Sequence, residues 1–148
     1  MIILFFQFSV VNVALGKLAT QSSIRIWWSI RRFAYKAVDG TVTSYSCTKN
    51  EEGPWWEVDL GEVKRIMEIH LTAPTAYTTD QGDHNHGLII STRQPIHPDW
   101  VVCKDIGNAK EEILKFKCDK QPTYASRIRI HSNKKCFLQI REVEIFSY

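Results

Sequence analysis

The sequence predicts an all-β sandwich, and two observations carry that prediction. One is a period of two in the second half of the chain, which puts apolar side chains on one face of each segment and polar ones on the other. The other is the regular spacing of turn-rich stretches between those segments, as in a two-sheet protein. In "RIMEIHL" (65–71), Met67, Ile69 and Leu71 oppose Ile66, Glu68 and His70. In "EILKFKC" (112–118), Leu114, Phe116 and Cys118 alternate with Lys115 and Lys117. Ile128 and Ile130 alternate with Arg127, Arg129 and His131 in "SRIRIHS" (126–132), and Val143 and Ile145 with Glu142, Glu144 and Phe146 in "REVEIFSY" (141–148). "GLIIST" (87–92) and "WVVCKDI" (100–106) read as further strands, with turns at 94–99, 107–111, 119–123 and 132–135. Only "IRIWWSIRRFAYKAV" (24–38) lacks a clear period. It reads as one helical turn or a long loop, so any helix is short and lies there.

A chain of 148 residues with 44% hydrophobic side chains fits one domain with its own core, placed here over residues 12–148. The net charge of +3, with bases scattered among acids, excludes a nucleic-acid footprint. The opening apolar run, residues 1–11, is shorter than the ~20 residues a membrane span needs. It reads as a remnant of a secretion signal or as a first strand. Cys47, Cys103, Cys118 and Cys136 allow three pairings and contain no C-x-x-C unit, which speaks against structural zinc. Cys103 and Cys118 bracket a strand-turn-strand segment, which favours a bridge between them. Cys47 and Cys136 are then left to pair, and a fully reduced chain is the alternative.

"DQGDHNHG" (80–87) concentrates Asp80, Asp83, His84, Asn85 and His86. Carboxylate and imidazole suit zinc or copper, but His-x-His in a loop fixes no geometry by itself. A hydrolase built on Asp83 and His84 lacks a nucleophile with a base and an orienting group beside it. The stretch reads instead as a polar, exposed recognition loop.

Three stretches carry more information in combination: "NVALGKLATQSS" (12–23); "AVDG" (37–40) with "SYSCT" (44–48) and "PWWEVDLG" (54–61); and "REVEIF" (141–146). In this order they resemble the F-type lectin (fucolectin) family, as a divergent member. The resemblance implies a β-jellyroll like that of discoidin-type domains, secretion, a binding rather than catalytic role, fucosylated glycans as partners and a bound Ca2+. It maps the calcium ligands onto Lys36, Asp39, Thr41, Ser46, Arg141 and Glu142. Of these, Asp39, Ser46 and Glu142 keep side-chain oxygens. Lys36, Thr41 and Arg141 replace the usual residues where the family uses mainly main-chain carbonyls. The family's fucose-binding histidine falls at Lys49 and its first arginine near Pro74, and no R-x-D-x-x-x-x-R/K pattern occurs. A cysteine the family places at Arg141 is matched only by Cys136, five residues earlier.

These departures predict a degenerate fucose pocket. Its remaining donors are Lys49, His84 or His86, and "DQGDHNHG" should lie at the same end of the sandwich as Lys49 and Trp27. Trp27 and Trp28 fall in another loop at that face. The favoured reading packs one into the core with the other covering it, and sugar stacking is the other reading. Trp55 and Trp56 read as core. The competing function is a discoidin-like protein- or membrane-contact domain, in which Trp27, Trp28 and Ile30 form an apolar loop tip. Self-association is left open.

Overall fold

A computed structural model describes residues 1–4 and 9–148. Chain order gives β1 (Val11–Asn12), β2 (Leu18–Gln21), β3 (Trp55–Ile66), β4 (Glu68–Thr72), β5 (Leu88–Arg93), β6 (Val101–Gly107), β7 (Ile113–Phe116), β8 (Thr123–Ser132) and β9 (Glu142–Ser147). Among the described residues these form a four-stranded sheet, β1-β9-β4-β7, and a five-stranded sheet, β6-β5-β8-β3-β2. Every pairing in both is antiparallel. The expected all-β sandwich is therefore present. The one helix among the described residues is a single 3-10 turn, Ala34–Ala37, inside the interval foreseen for it.

Alternation places the core. Trp56, Val58 and Leu60 of β3, Ile128 and Ile130 of β8, and Leu88 and Ile90 of β5 point inward from one sheet. Ile69 and Leu71 of β4 and Val143 and Ile145 of β9 meet them from the other. Each such side chain contributes roughly 1.5–3 kcal/mol on burial. The Trp56 indole also donates a hydrogen bond to the Ala34 carbonyl (3.0 Å), so the 3-10 turn is tied to the core. Trp55 does not join it. It lies half-buried on the outer face, with the Arg129 guanidinium 4.6 Å from its ring centroid.

The stretch 65–71 is not one strand. β3 ends at Ile66 and β4 begins at Glu68, with Met67 crossing between the sheets. Ile66, Ile69 and Leu71 are consequently all buried, although a single period-two strand would put Ile66 on the opposite face.

Cys103 and Cys118 form a disulfide. It joins edge strand β6 to the chain just after β7, and so ties together the two sheets. Cys47 and Cys136 are free, buried thiols, which corrects the second expected bridge. The register explains it: Cys47 lies opposite Gln139, whereas Cys136 lies opposite Glu51. Of the opening segment, Met1–Leu4 is exposed without regular structure and Val11 pairs with Ser147. Residues 5–8, on which the signal-or-strand reading partly rests, lie outside the described residues.

Candidate ligand-binding site

Four short ribbons gather at one end of the sandwich: Ile26–Trp27 with Ile30–Arg31, Tyr77–Thr79 with Gly82–His84, Ser46–Cys47 with Gln139–Ile140, and Glu51–Glu52 with Lys135–Cys136. Main-chain bonds hold the first against the third. Arg25 N–H donates to the Cys47 carbonyl (2.9 Å), Arg32 N–H to the Arg25 carbonyl (3.0 Å) and Cys47 N–H to the Arg32 carbonyl (3.1 Å). Beneath them the Gln21 amide nitrogen lies 2.7, 2.9 and 3.0 Å from the carbonyls of Ser23, Arg32 and Cys47.

"DQGDHNHG" is thus not the exposed loop expected. Asp80 and Gln81 form the exposed tip of a hairpin, while His84 and Asn85 are only 3% and 0% exposed. Asn85 explains the difference. Its backbone takes φ 55, a left-handed conformation that Asn tolerates better than most residues. Its side-chain amide donates to the carbonyls of Pro74 and Gln139 (both 2.9 Å) and accepts from Gln139 N–H (2.8 Å). The motif is therefore pulled inward and clamped. Asp83 accepts from Thr78 Oγ1 (2.7 Å) and faces His86 at 3.9 Å, while the His86 carbonyl accepts from Ser132 Oγ. Among the described residues no three His, Cys, Asp or Glu side chains converge as a metal site, here or elsewhere.

The inward turn of His84 builds a stack. Its ring lies parallel to Tyr77, with centroids 4.2 Å apart and planes 9° apart, and to Phe137 at 4.6 Å and 21°. The Arg25 guanidinium continues the column, 4.2 Å from the Phe137 centroid and 4.7 Å from that of Trp27. Arg25 Nη2 also donates to Gln81 Oε1 (2.7 Å), and Tyr77 OH to Gln139 Oε1 (3.1 Å). Between the hairpins opens a cleft of about 320 Å³ lined by Arg25, Trp27, Tyr45, Tyr77, His84 and Gln139, with Thr79, Asp80 and Gln81 at its mouth. Burial, reinforced by Arg25, pushes the His84 imidazole below its ordinary pKa and favours its neutral form. Its Nδ1 has no hydrogen-bond partner within the described protein.

Of the expected donors, only His84 lines this cleft. Lys49 is exposed beside it, its N–H donating to Ser23 Oγ (2.9 Å), while the next residue, Asn50, donates to the Gln81 carbonyl (3.2 Å). His86 faces Asp83 instead. Arg25, Tyr45, Tyr77 and Gln139 escape the sequence reading. The one local signal was "YTTDQGDH", in which two three-residue strands flank a two-residue turn and make Tyr77 and His84 a cross-strand pair.

Trp27 and Trp28 also differ from expectation. Neither is in the core: they are 40% and 83% exposed, on a hairpin whose central residues, Trp28 and Ser29, both take positive φ (52 and 64). That turn matches strand twist but drives the Trp28 side chain outward.

The residues matched to calcium ligands lie apart from the cleft, where the 36–46 loop meets β9. Glu142 is 5% exposed; its Oε2 accepts from Gly40 N–H (2.7 Å), and its Oε1 is buried without a partner. Burial pushes its pKa up to about 7, with Asp39 adding to the effect. Asp39 accepts from Thr41 N–H (3.1 Å) and Ser44 Oγ (2.7 Å), and Ser46 Oγ donates to the Ile140 carbonyl (3.3 Å). The Arg141 side chain crosses the 36–46 loop to the back of Tyr45, with its guanidinium 5.9 Å from that ring centroid and donating to the Val42 carbonyl. The orphaned Glu142 oxygen next to a second carboxylate fits a hard cation.

An antiparallel sandwich with a ring-walled cleft among its end loops has the form of a carbohydrate-binding domain. The family model for the NedA-like, galactose-binding domain matches residues 36–130. Fucolectin-6 of Anguilla japonica is 30% identical over 149 residues, covering 90% of this chain and 74% of that protein. A Streptococcus pneumoniae fucose binding module superposes with a TM-score of 0.77 at 22% identity, covering 97% of this chain and all of that one (100%). The lectin domain of lectinolysin, solved with Lewis B antigen, gives 0.73 at 25% identity, covering 93% and 96%. The chain belongs to the fucolectin family of galactose-binding-like, F5/F8 type C domains.

Proposed function

We propose that this protein is a lectin whose glycan seats in the cleft between the 26–31 and 77–84 hairpins. One observation carries the reading: the Tyr77–His84–Phe137–Arg25–Trp27 column, whose end rings, Tyr77 and Trp27, line the cleft beside the donors Arg25 and Gln139. A pyranose has an apolar C–H face and a rim of hydroxyls, and such a wall serves both. Membership in the fucolectin family supports it. The arginine pair and histidine that the resemblance implies are missing, and each directed charged bond is worth ~1.5–3 kcal/mol, so free L-fucose binds weakly. Glycan-array binding followed by calorimetry on Tyr77→Ala and Arg25→Ala tests this; both variants should lose binding. Fucose binding of ordinary lectin strength that survives combined Lys49→Ala, His84→Ala and His86→Ala would mislocate the site.

A calcium site belongs to the same reading. Asp39 and Glu142 would supply carboxylates, Ser46 a further oxygen, and Lys36, Thr41 and Arg141 main-chain carbonyls. An ion held there would offset the negative charge of Asp39 and Glu142. The Cys103–Cys118 bridge supports export to an oxidising compartment. Among the described residues no helix is long and apolar enough to cross a membrane.

The hairpin favours a second reading. Ile26, Trp27, Trp28 and Ile30 are all exposed on one ribbon, the form of a protein- or membrane-contact tip. Vesicle sedimentation in the absence of glycan separates this from lectin activity.

A further inference from the structure

We propose that the preferred ligand of this cleft is an acidic glycan, with its negative charge on a carboxylate or a sulfate ester. The inference rests on the lectin reading above and adds the charge of the sugar. One guanidinium lies in the cleft and two lie behind its Tyr45 wall. Arg25 lines the cleft, and Arg32 and Arg141 have their guanidiniums 3.9 and 5.9 Å from the ring centroid of Tyr45, a lining residue. Among the described residues none of the three forms an ion pair. Two arginines elsewhere are neutralised by carboxylates. On the outer face of the five-stranded sheet, Arg127 pairs with Glu57 and Asp59, and Arg129 with Glu57 at 2.7 Å.

At the cleft the guanidiniums lie on aromatic rings instead, which fixes their position and leaves their charge free. One carboxylate, Asp80, lines the mouth, and it is exposed. Asp83, nearby, is already engaged by Thr78 and faces His86. His84 lines the same cleft, is 3% exposed, and has an Nδ1 without a protein partner. A planar guanidinium donates two parallel bonds to a carboxylate or sulfate, a geometry that a neutral hydroxyl does not match.

The test is calorimetric titration of the whole chain with galactose, galacturonate and galactose 6-sulfate, at about 50 mM and about 500 mM salt. At least one charged sugar should bind about tenfold or more tighter than galactose at low salt, with the gain shrinking at high salt. Whichever of the two shows the gain identifies the anion. Arg25→Gln should remove the gain. Asp80→Asn, which removes the carboxylate at the mouth, should widen the ratio of charged-sugar to galactose affinity, and it stands as the test should Arg25→Gln fold poorly. Galactose binding as tight as both charged sugars, or a gain indifferent to salt and to Asp80→Asn, overturns the acidic ligand and leaves the lectin. Absence of binding to any sugar, here and on the array, overturns both.

Discussion

Asn85 shows how a polar residue that looks like ligand chemistry becomes architecture. Its three hydrogen bonds all run to backbone groups, of Pro74 and Gln139. Those partners stand eleven and fifty-four positions away, so local sequence carries no sign of them. Asn85→Ala should lower stability by roughly 3 kcal/mol, because buried amide and carbonyl groups lose their partners, whereas His86→Ala should cost under about 1. Urea denaturation of the pair would show it, and equal losses would deny Asn85 the clamp role. His84 adds a pH dependence. Its folded pKa is depressed, so at pH below its ordinary value the unfolded chain takes up a proton that the folded one resists. Stability should therefore fall as pH drops through about 6.5, and His84→Phe, which keeps a ring in the stack, should flatten that slope.

The strands were legible because most carry their own period, and burial follows it from Arg127 to Ser132 in β8 and from Val143 to Ser147 in β9. The break at Met67 was not, since apolar residues on both sides of it are compatible with one strand or with two that change sheets. The 26–31 hairpin was also hidden: its turn uses Trp28 and Ser29 in place of the Asn-Gly pair that positive φ favours. Replacing them, Trp28→Asn with Ser29→Gly, should raise stability by about 0.5–1 kcal/mol while reducing glycan or vesicle binding. A thermal melt and a binding assay on the same sample would expose a loss in both, which would make Trp28 structural.

At the other loop, Glu142 has its folded pKa raised to about 7 from 4.5. The folded state holds that proton more tightly than the unfolded one. Without calcium, stability should therefore decline as pH rises from about 4.5 to about 7, by up to roughly 3 kcal/mol. Glu142→Gln should remove the decline. Calcium should raise the melting temperature more at pH 8 than at pH 6, through Asp39 and Glu142, because there it need not displace the proton. A calcium response indifferent to Asp39→Ala would place the ion elsewhere.

Across the whole molecule, the motifs at both ends and around "PWWEVDLG" were enough to give the family and the sandwich. The cleft was not legible, because its wall is assembled from Arg25, Tyr45, Tyr77 and Gln139, which meet only after three ribbons pack. The cysteines divide in the same way: a bridge across a short segment could be read from spacing, but the opposite register of Cys47 and Cys136 could not. Opening Cys103–Cys118, a separation of 15 residues, should cost about 3 kcal/mol by loop entropy. Denaturant midpoints of the Cys103→Ala, Cys118→Ala double variant would measure it. Burial pushes the Cys47 thiol up to about 11, so it should resist alkylation until the fold opens. One pairing has a geometric consequence. The six-residue β9 starts beside the Gln139–Ile140 ribbon at the cleft end and finishes with Ser147 against Val11. At roughly 3.3 Å per residue, both ends of the sandwich therefore leave it about 17 Å from the cleft end. Copies tethered through either terminus would all keep their clefts outward, so weak individual contacts could add up as avidity on a crowded glycan surface.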